Sequence, residues 1–195
     1  FGRDLYSRVV YGGRVSLRVA FMAVIIAKVA GLMMGLASGY FGGKTDLIIQ
    51  RIVDIKMAFP SLILTLAIVA IMSPSLNNVA IAIAIATMPG TIRVIRAQTL
   101  SVKEMDYVEA ARALGASNIR IMAFHITPQC WAPLIIVASA SLGGAILTET
   151  SLSFLGLGVP PPAPAWGGML SGASQQYMER APWLVIWPGV AISMV

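Results

Sequence analysis

The sequence has 195 residues, of which 57% are hydrophobic and only 11% charged, against about 25% charged in an ordinary soluble domain. With a mean hydropathy of +0.82 it has too few charges to coat a water-soluble core and is too apolar for disorder, which leaves a polytopic membrane protein. The net charge of +6 comes from basic residues scattered through short segments, the pattern of membrane flanks rather than of a nucleic-acid surface.

A single cysteine, Cys130, and a single histidine, His125, exclude an internal disulfide and a zinc site of the usual multi-ligand kind. The chain opens at Phe1 rather than Met and stops at Val195 in an apolar run, so we expect an excerpt of a longer protein.

A span needs about 20 mostly apolar residues. The first such run covers Val15 to Phe41, interrupted only by Arg18 and Lys28. Within it Ala23, Ala27, Gly31, Gly35 and Gly39 recur every four residues, which puts five small side chains on one helical stripe and predicts a close-packing face. Gly42-Gly43 should break this helix. Leu47 to Met57 then reads as amphipathic, with Ile48, Ile49, Ile52, Val53 and Ile55 opposed to Gln50, Arg51, Asp54 and Lys56. Phe59-Pro60 leads into a second, short span, Ser61 to Met72, and Ser73-Pro74-Ser75 with Asn77-Asn78 forms the next loop.

The third span runs from Val79 to about Ile95. Its alternation of Ala and Ile over residues 80–86 imitates a strand, but a lone open strand cannot cross lipid with its backbone unpaired, so a helix is predicted, kinked at Pro89-Gly90. The long polar stretch Arg93 to Pro128 follows. A fourth span, Trp131 to Leu157, precedes a Pro- and Gly-rich loop, Gly158 to Gly168, expected to be irregular and partly polyproline-like. Trp183 begins a fifth span. No internal repeat or second soluble domain is evident, so residues 1–195 read as one transmembrane domain, all-α, with about five spans.

Within the polar stretch, Val102 to Leu114 should form a short helix with apolar and charged faces. Gly115 suits a left-handed C-cap, and Ser117 can N-cap a second short helix reaching about Phe124. Pro128 sits where a helix could re-enter the membrane after a bend. Residues 102–128 are thus a helix–turn–helix elbow outside the bilayer.

Glu109-Ala110-Ala111, then Gly115 and, thirteen residues on, Pro128 resemble the cytoplasmic "EAA" loop of binding-protein-dependent ABC-transporter permeases. The resemblance extends to Gly2 to Arg8, Tyr11-Gly12-Gly13-Arg14, Gly39 to Gly43, Asp54 to Pro60, Ser151 to Gly158, Pro161-Pro162 and Trp166-Gly167. Together these are similar to the C-type subunit of the dipeptide/oligopeptide/nickel subfamily. The resemblance implies a helical bundle of the type I ABC-importer permease kind, six spans in the full protein. It also implies a multi-pass subunit of a bacterial or archaeal cytoplasmic membrane, forming the path for peptides, or alternatively for nickel or another small solute. Its partners would be a second permease, two cytoplasmic ATPase subunits and an external substrate-binding protein.

On that resemblance Glu109, Ala110, Ala111, Gly115, His125 and Pro128 form the ATPase-coupling loop, and Ala27, Gly31, Gly35 and Gly39 a helix-packing face. No Gly-rich loop ending in Lys-Ser/Thr is present, so ATP must be bound elsewhere; no cofactor and no metal are called for. Intramembrane charges are candidates for a translocation path, here Lys28 and Glu149. Trp166 in the Pro-rich loop is expected at the membrane–water boundary on the outer side, near where the binding protein docks. Charge does not orient the chain: Arg3, Arg8, Arg14 and Arg18 lie before or at the start of the first span, and the stretch Arg93 to Pro128 is also net basic; the resemblance puts the elbow inside. From other classes, an ion-coupled carrier or channel would concentrate its charges mid-span, whereas the largest polar cluster here is the elbow. A membrane enzyme lacks any Ser/His/Asp or paired-carboxylate set.

Overall fold

The computed structural model describes residues 4–160, 162–176 and 181–194. The Gly2-Arg3 part of the N-terminal motif and Pro161 of the proline run lie outside them. Every regular element among the described residues is helical. The first, α1, is Leu5–Phe41, ten residues longer at its start than the apolar pattern predicted. Asp4 explains the early start: its carboxylate accepts from the backbone N–H of Tyr6 at 3.2 Å and of Ser7 at 3.0 Å, an N-cap. A bond from the Ser7 hydroxyl, followed by those two N–H bonds, holds its pKa below the ordinary carboxylate range. A 37-residue helix is about 55 Å long, longer than the hydrocarbon it would have to cross, about 30 Å.

Both glycines of the Gly42-Gly43 break have positive φ, 62° and 50°, a reversal that a Cβ would penalise. Then come α2, Gly43–Met57, and α3, Ser61–Met72. Of the apolar α2 face only Val53 is buried; Ile48, Ile52 and Ile55 are exposed in this chain. The predicted loop at Asn77-Asn78 is instead the first turn of α4, Leu76–Val102. Ser75 accepts from the Asn78 N–H at 3.2 Å as N-cap, and the Asn78 amide donates back to the carbonyls of Met72 and Ser73. One asparagine thereby serves the end of α3 and the start of α4. The Ala/Ile alternation is helical, and α4 continues through Pro89.

Within the elbow, α5 is Asp106–Ala113 and α6 is Asn118–Ile121. A π turn, Met122–Ile126, leads into α7, Thr127–Phe154. The Pro-rich segment ends earlier than predicted, because α8, Trp166–Gln176, already contains Gly167 and Gly168. The last, α9, is Trp183–Ser193. By length and composition three helices can cross a membrane, Leu5–Phe41, Leu76–Val102 and Asn118–Phe154, or up to four if the bent pair α2 and α3 is one span. The fifth predicted span corresponds to the shorter apolar helix α9. Hydroxyls inside these helices return to their own backbone: Thr65 to Ser61 O, Thr99 to Ile95 O, Ser139 to Ile135 O, Thr148 to Gly144 O. Each of these four hydroxyls thereby has an acceptor within its own helix.

The chain divides into two compact units, one of Ile25–Pro60 with Thr87–Ala140, the other of Phe1–Val24, Ser61–Ala86 and Ser141–Val195. In the first, α1 and α4 meet along the small-residue stripe. A Cβ on Gly31 would lie 2.7 Å from Thr91 Cβ, on Gly35 2.7 Å from Ile95 Cβ, and on Gly39 2.7 Å from Thr99 Cβ. Below that contact Ile95, Val102, Val108, Ile121, Ile126, Cys130 and Leu134 make a core against which Leu32, Leu36 and Tyr40 pack.

In the second unit, Trp166 fills the space left by Gly12 and Gly13 and is only 5% exposed. Its indole N–H donates to Val9 O at 2.8 Å, and its backbone N–H to Ser16 Oγ at 3.4 Å. The tryptophan expected at the membrane–water boundary is therefore a buried wedge. A buried indole needs a partner for its N–H, and the first turns of α1 supply one.

Candidate functional site at the elbow

The elbow is built by three local devices. Helix α4 runs on to Val102, so the short helix expected over Val102 to Leu114 begins only at Asp106, after Met105 in extended conformation (φ −81°, ψ 143°). Asp106 and Glu109 occupy the first turn of α5 and Arg112 its last, each sign at the end of the helix dipole that favours it. Gly115 then ends α5 with φ +81°. Its N–H reaches Arg112 O at 3.0 Å, and that of Ala116 reaches Ala111 O at 3.1 Å, the paired bonds of a Schellman cap. Ser117 follows as N-cap of α6, its Oγ accepting from the Arg120 N–H at 3.4 Å.

Beyond Ser117 the structure departs from the two-helix expectation. Residues Asn118–Phe154 form one continuous helical run, widened at Met122–Ile126 into the π turn. Pro128 accounts for the widening: in an α-helix its ring would press on the carbonyl four residues back and leave that carbonyl without a donor. The Thr127 N–H reaches Met122 O across the wider turn, and the Thr127 hydroxyl donates to the same oxygen at 2.8 Å.

One side of the elbow is closed by Val108, Ile121 and Ile126 in the core already described. The other side is open. Leu114 is 89% exposed, Ile119 74% and Phe124 75%, and Glu109 and Ala110 are exposed beside them. Ser117, Ile119, Arg120, Ala123, Phe124 and His125 line a shallow hollow on this surface. His125 sits in the π turn, half-buried; its carbonyl accepts from the Tyr107 hydroxyl at 3.4 Å, and its Nδ1 has no hydrogen-bond partner among the described residues. The elbow can therefore present a rigid apolar surface edged by Glu109, Arg112 and Arg120 to another protein. Among the described residues no group of three or more His, Cys, Asp or Glu side chains could hold a metal ion.

The other predicted residues lie elsewhere. Ala27 is buried on α1 one turn before the glycine contacts, and the glycine part of the stripe, Gly31, Gly35 and Gly39, is occupied by this chain's own α4. Lys28, only 5% exposed, donates from Nζ to Thr91 Oγ1 at 2.9 Å. The same Thr91 lies against Gly31, which ties the lysine into the α1–α4 contact. Glu149 belongs to the other unit and is fully buried. Its Oε1 accepts from Ser153 Oγ at 2.6 Å, and Oε2 has no hydrogen-bond partner among the described residues. Neither charge lines an open surface of this chain.

Sequence reading missed the charge pairs of α2. Arg96 grips Asp46 with two 2.6 Å bonds, from Nε to Oδ1 and from Nη2 to Oδ2, and Arg93 binds Asp54 at 2.6 Å. The available signal was acidic residues eight apart on an amphipathic helix and two arginines three apart on α4 in a chain otherwise poor in charge.

Residues 30–195 match the family described as "Binding-protein-dependent transport system inner membrane component". The chain is 48% identical over its whole length to a dipeptide transport system permease protein, DppC, of Alkalihalophilus pseudofirmus, of which it covers 64%. It is 45% identical over 98% of its length to the di/tripeptide permease DppC of Pseudomonas aeruginosa, covering 63% of it. Identity is 41% over 98% of the chain to a glutathione transport system permease protein, GsiD, of Pectobacterium atrosepticum, again covering 63%. The chain thus spans less than two thirds of the length of these relatives. Its fold is similar to that of a chain in inward-facing MetNI, a methionine ABC transporter, with TM-score 0.79 and 19% identity over 100% of this chain and 92% of that one. A second likeness, to an amino acid ABC transporter chain, has TM-score 0.65 at 19% identity, covering 100% of this chain and 93% of that one.

Proposed function

The chain belongs to the family of binding-protein-dependent transport system inner membrane components, and from that premise we propose that it is a permease subunit of an ABC importer for short peptides. The observation that carries the mechanism is the elbow's two-sidedness: a closed core behind and an exposed Leu114, Ile119 and Phe124 in front. A surface of that kind is an interaction site by default. Its partner in this reading is a cytoplasmic ATPase subunit, with two ATPases, a second permease and an external binding protein completing the transporter in a bacterial or archaeal cytoplasmic membrane.

ATP binding and closure of the ATPases would move the elbow, and the spans would alternate between inward and outward states. The chemistry of ATP stays in the ATPase subunits; this chain supplies the path. Glu109, Ala110, Ala111, Gly115, His125 and Pro128 are the coupling residues of the reading, with Glu109, Ala110, Gly115 and Pro128 exposed and Ala111 and His125 half-buried. Peptides are the favoured solute because the relatives named above are permeases for a dipeptide, for di- and tripeptides, and for glutathione.

The test is the full-length protein co-expressed with its partner permease and ATPases. Leu114→Asp with Phe124→Asp should abolish co-purification of the ATPase and uptake of labelled dipeptide, with insertion and permease pairing intact. Retention of the ATPase by this variant overturns the coupling role. Orientation is checked at exposed Pro162: Pro162→Cys in a background where Cys130 is Ser should react with an impermeant thiol reagent added outside intact cells. Reaction only after the cells are opened reverses the topology.

A further inference from the structure

The end of α1, the start of α2 and the second half of α4 are fastened by one carboxylate. Asp46, in the first turn of α2, accepts both Arg96 bonds from α4 and a 2.5 Å bond from the Ser38 hydroxyl of α1. Gln50 donates to the same Ser38 oxygen at 3.0 Å. Such a bidentate, charge-assisted fork fixes direction as well as distance. One residue along α1, a Cβ on Gly39 would meet Thr99 Cβ at 2.7 Å and Arg96 O at 2.9 Å, so α1 and α4 touch backbone to side chain at the same level. Next to it Tyr40 packs on the elbow core, and its hydroxyl donates to Asn118 Oδ1 at 2.9 Å, at the first residue of α6.

The polar clamp, at Ser38, therefore sits two residues from the elbow's own anchor on α1, Tyr40. We propose that Asp46 and Arg96 are positioning residues that make the elbow, the α1–α2 corner and α4 move as one body, so that a push on the elbow becomes a displacement of helices. This proposal rests on the coupling role given to the elbow above. The reason is mechanical: among the described residues the elbow reaches α1 through an apolar core and the exposed Tyr40–Asn118 hydrogen bond, which can slip. The fork cannot rotate without losing both bonds, and it joins three helices at that level.

The experiment uses the full transporter in proteoliposomes with its binding protein and measures peptide moved per ATP hydrolysed. Arg96→Lys keeps the charge but lacks the planar fork, and Asp46→Asn keeps the shape but loses the charge. Each is expected to lower transport per ATP about five-fold or more, with the ATPase still co-purifying and basal hydrolysis unchanged. Asp46→Arg combined with Arg96→Asp should recover most of the ratio. Ser38→Ala, which removes one bond of the clamp, serves as the mild variant and should give an intermediate ratio. Wild-type ratios in Arg96→Lys and Ser38→Ala overturn the proposal. So does a loss of assembled complex that parallels the loss of transport throughout the series, which would make the clamp a brace only. Failure of the elbow reading shows differently, as ATPase retained by the Leu114→Asp, Phe124→Asp variant, so the two failures are distinguishable.

Discussion

The α1–α4 contact and the elbow lie in the same compact unit and are specified in opposite ways. Between α1 and α4 the deciding feature is missing volume: at Gly31, Gly35 and Gly39 the space a side chain would take is filled by Thr91, Ile95 and Thr99. In the elbow the deciding feature is backbone direction, set by Gly115 at φ +81° and by the Ser117 cap, and no atom lies within 4 Å of where a Gly115 Cβ would stand. The first glycines need neighbours to explain them, and Gly115 does not. A substitution in the stripe should therefore damage the fold, whereas one in the elbow should spare the fold and damage what docks on it.

Gly35→Leu breaks the comparison at its strong end. Its Cβ would stand 2.7 Å from Ile95 Cβ and 2.9 Å from Ile92 O, and neither atom is the movable tip of a side chain. We expect a loss near the upper end of overpacking, about 3 kcal/mol, seen as a lower unfolding midpoint in detergent and poor monodisperse yield. Gly90→Ala is the control: nothing lies within 4 Å of its added Cβ, and a helical Gly→Ala change should be neutral or stabilising by about 0.5–1 kcal/mol. Equal midpoints for the two variants would remove the close approach from the account.

Gly115→Val comes next. A β-branched residue at φ +81° costs roughly 1–2 kcal/mol, and the Schellman bonds should open, so hydrogen exchange at the Gly115 and Ala116 amides should accelerate while α1 and α4 keep their protection. Gly115→Asn, which tolerates that conformation, should restore most of it. Protection unchanged in the valine variant would show that the turn does not depend on the glycine.

Ser117→Ala removes a 3.4 Å cap, a long bond, so the loss should sit near the low end for N-caps, about 0.5 kcal/mol. Faster exchange confined to the start of α6, read at the Arg120 amide, is the expected signature. The smallest effect on stability belongs to Leu114→Asp with Phe124→Asp. Both side chains are mostly in solvent, and the midpoint should shift by no more than about 0.5 kcal/mol even as ATPase capture is lost. A large drop in midpoint would show these residues to be part of the core.

The sequence by itself determined the membrane class, the all-helical content, the exact bounds of α3, the break at Gly42-Gly43, and the Gly115 and Ser117 caps. These follow from hydrophobic content and from bonds between residues a few positions apart, which a linear pattern displays. It misjudged boundaries where a cap lay outside the apolar run, as at Asp4 and Ser75. It also could not show that the helix after Ser117 runs on through a π turn past Pro128, because that choice balances one lost N–H against a long apolar segment on either side.

Tertiary structure alone decided who meets whom. Lys28 bonds a threonine 63 residues away, Arg96 a carboxylate 50 residues back, and Trp166 a carbonyl 157 residues earlier. A helical period shows which residues share a face. It does not say which other face it will meet or at what register, because that is set by the fit of whole surfaces. Lys28, Glu149 and Trp166 were legible as unusual residues for that reason, and their partners were not.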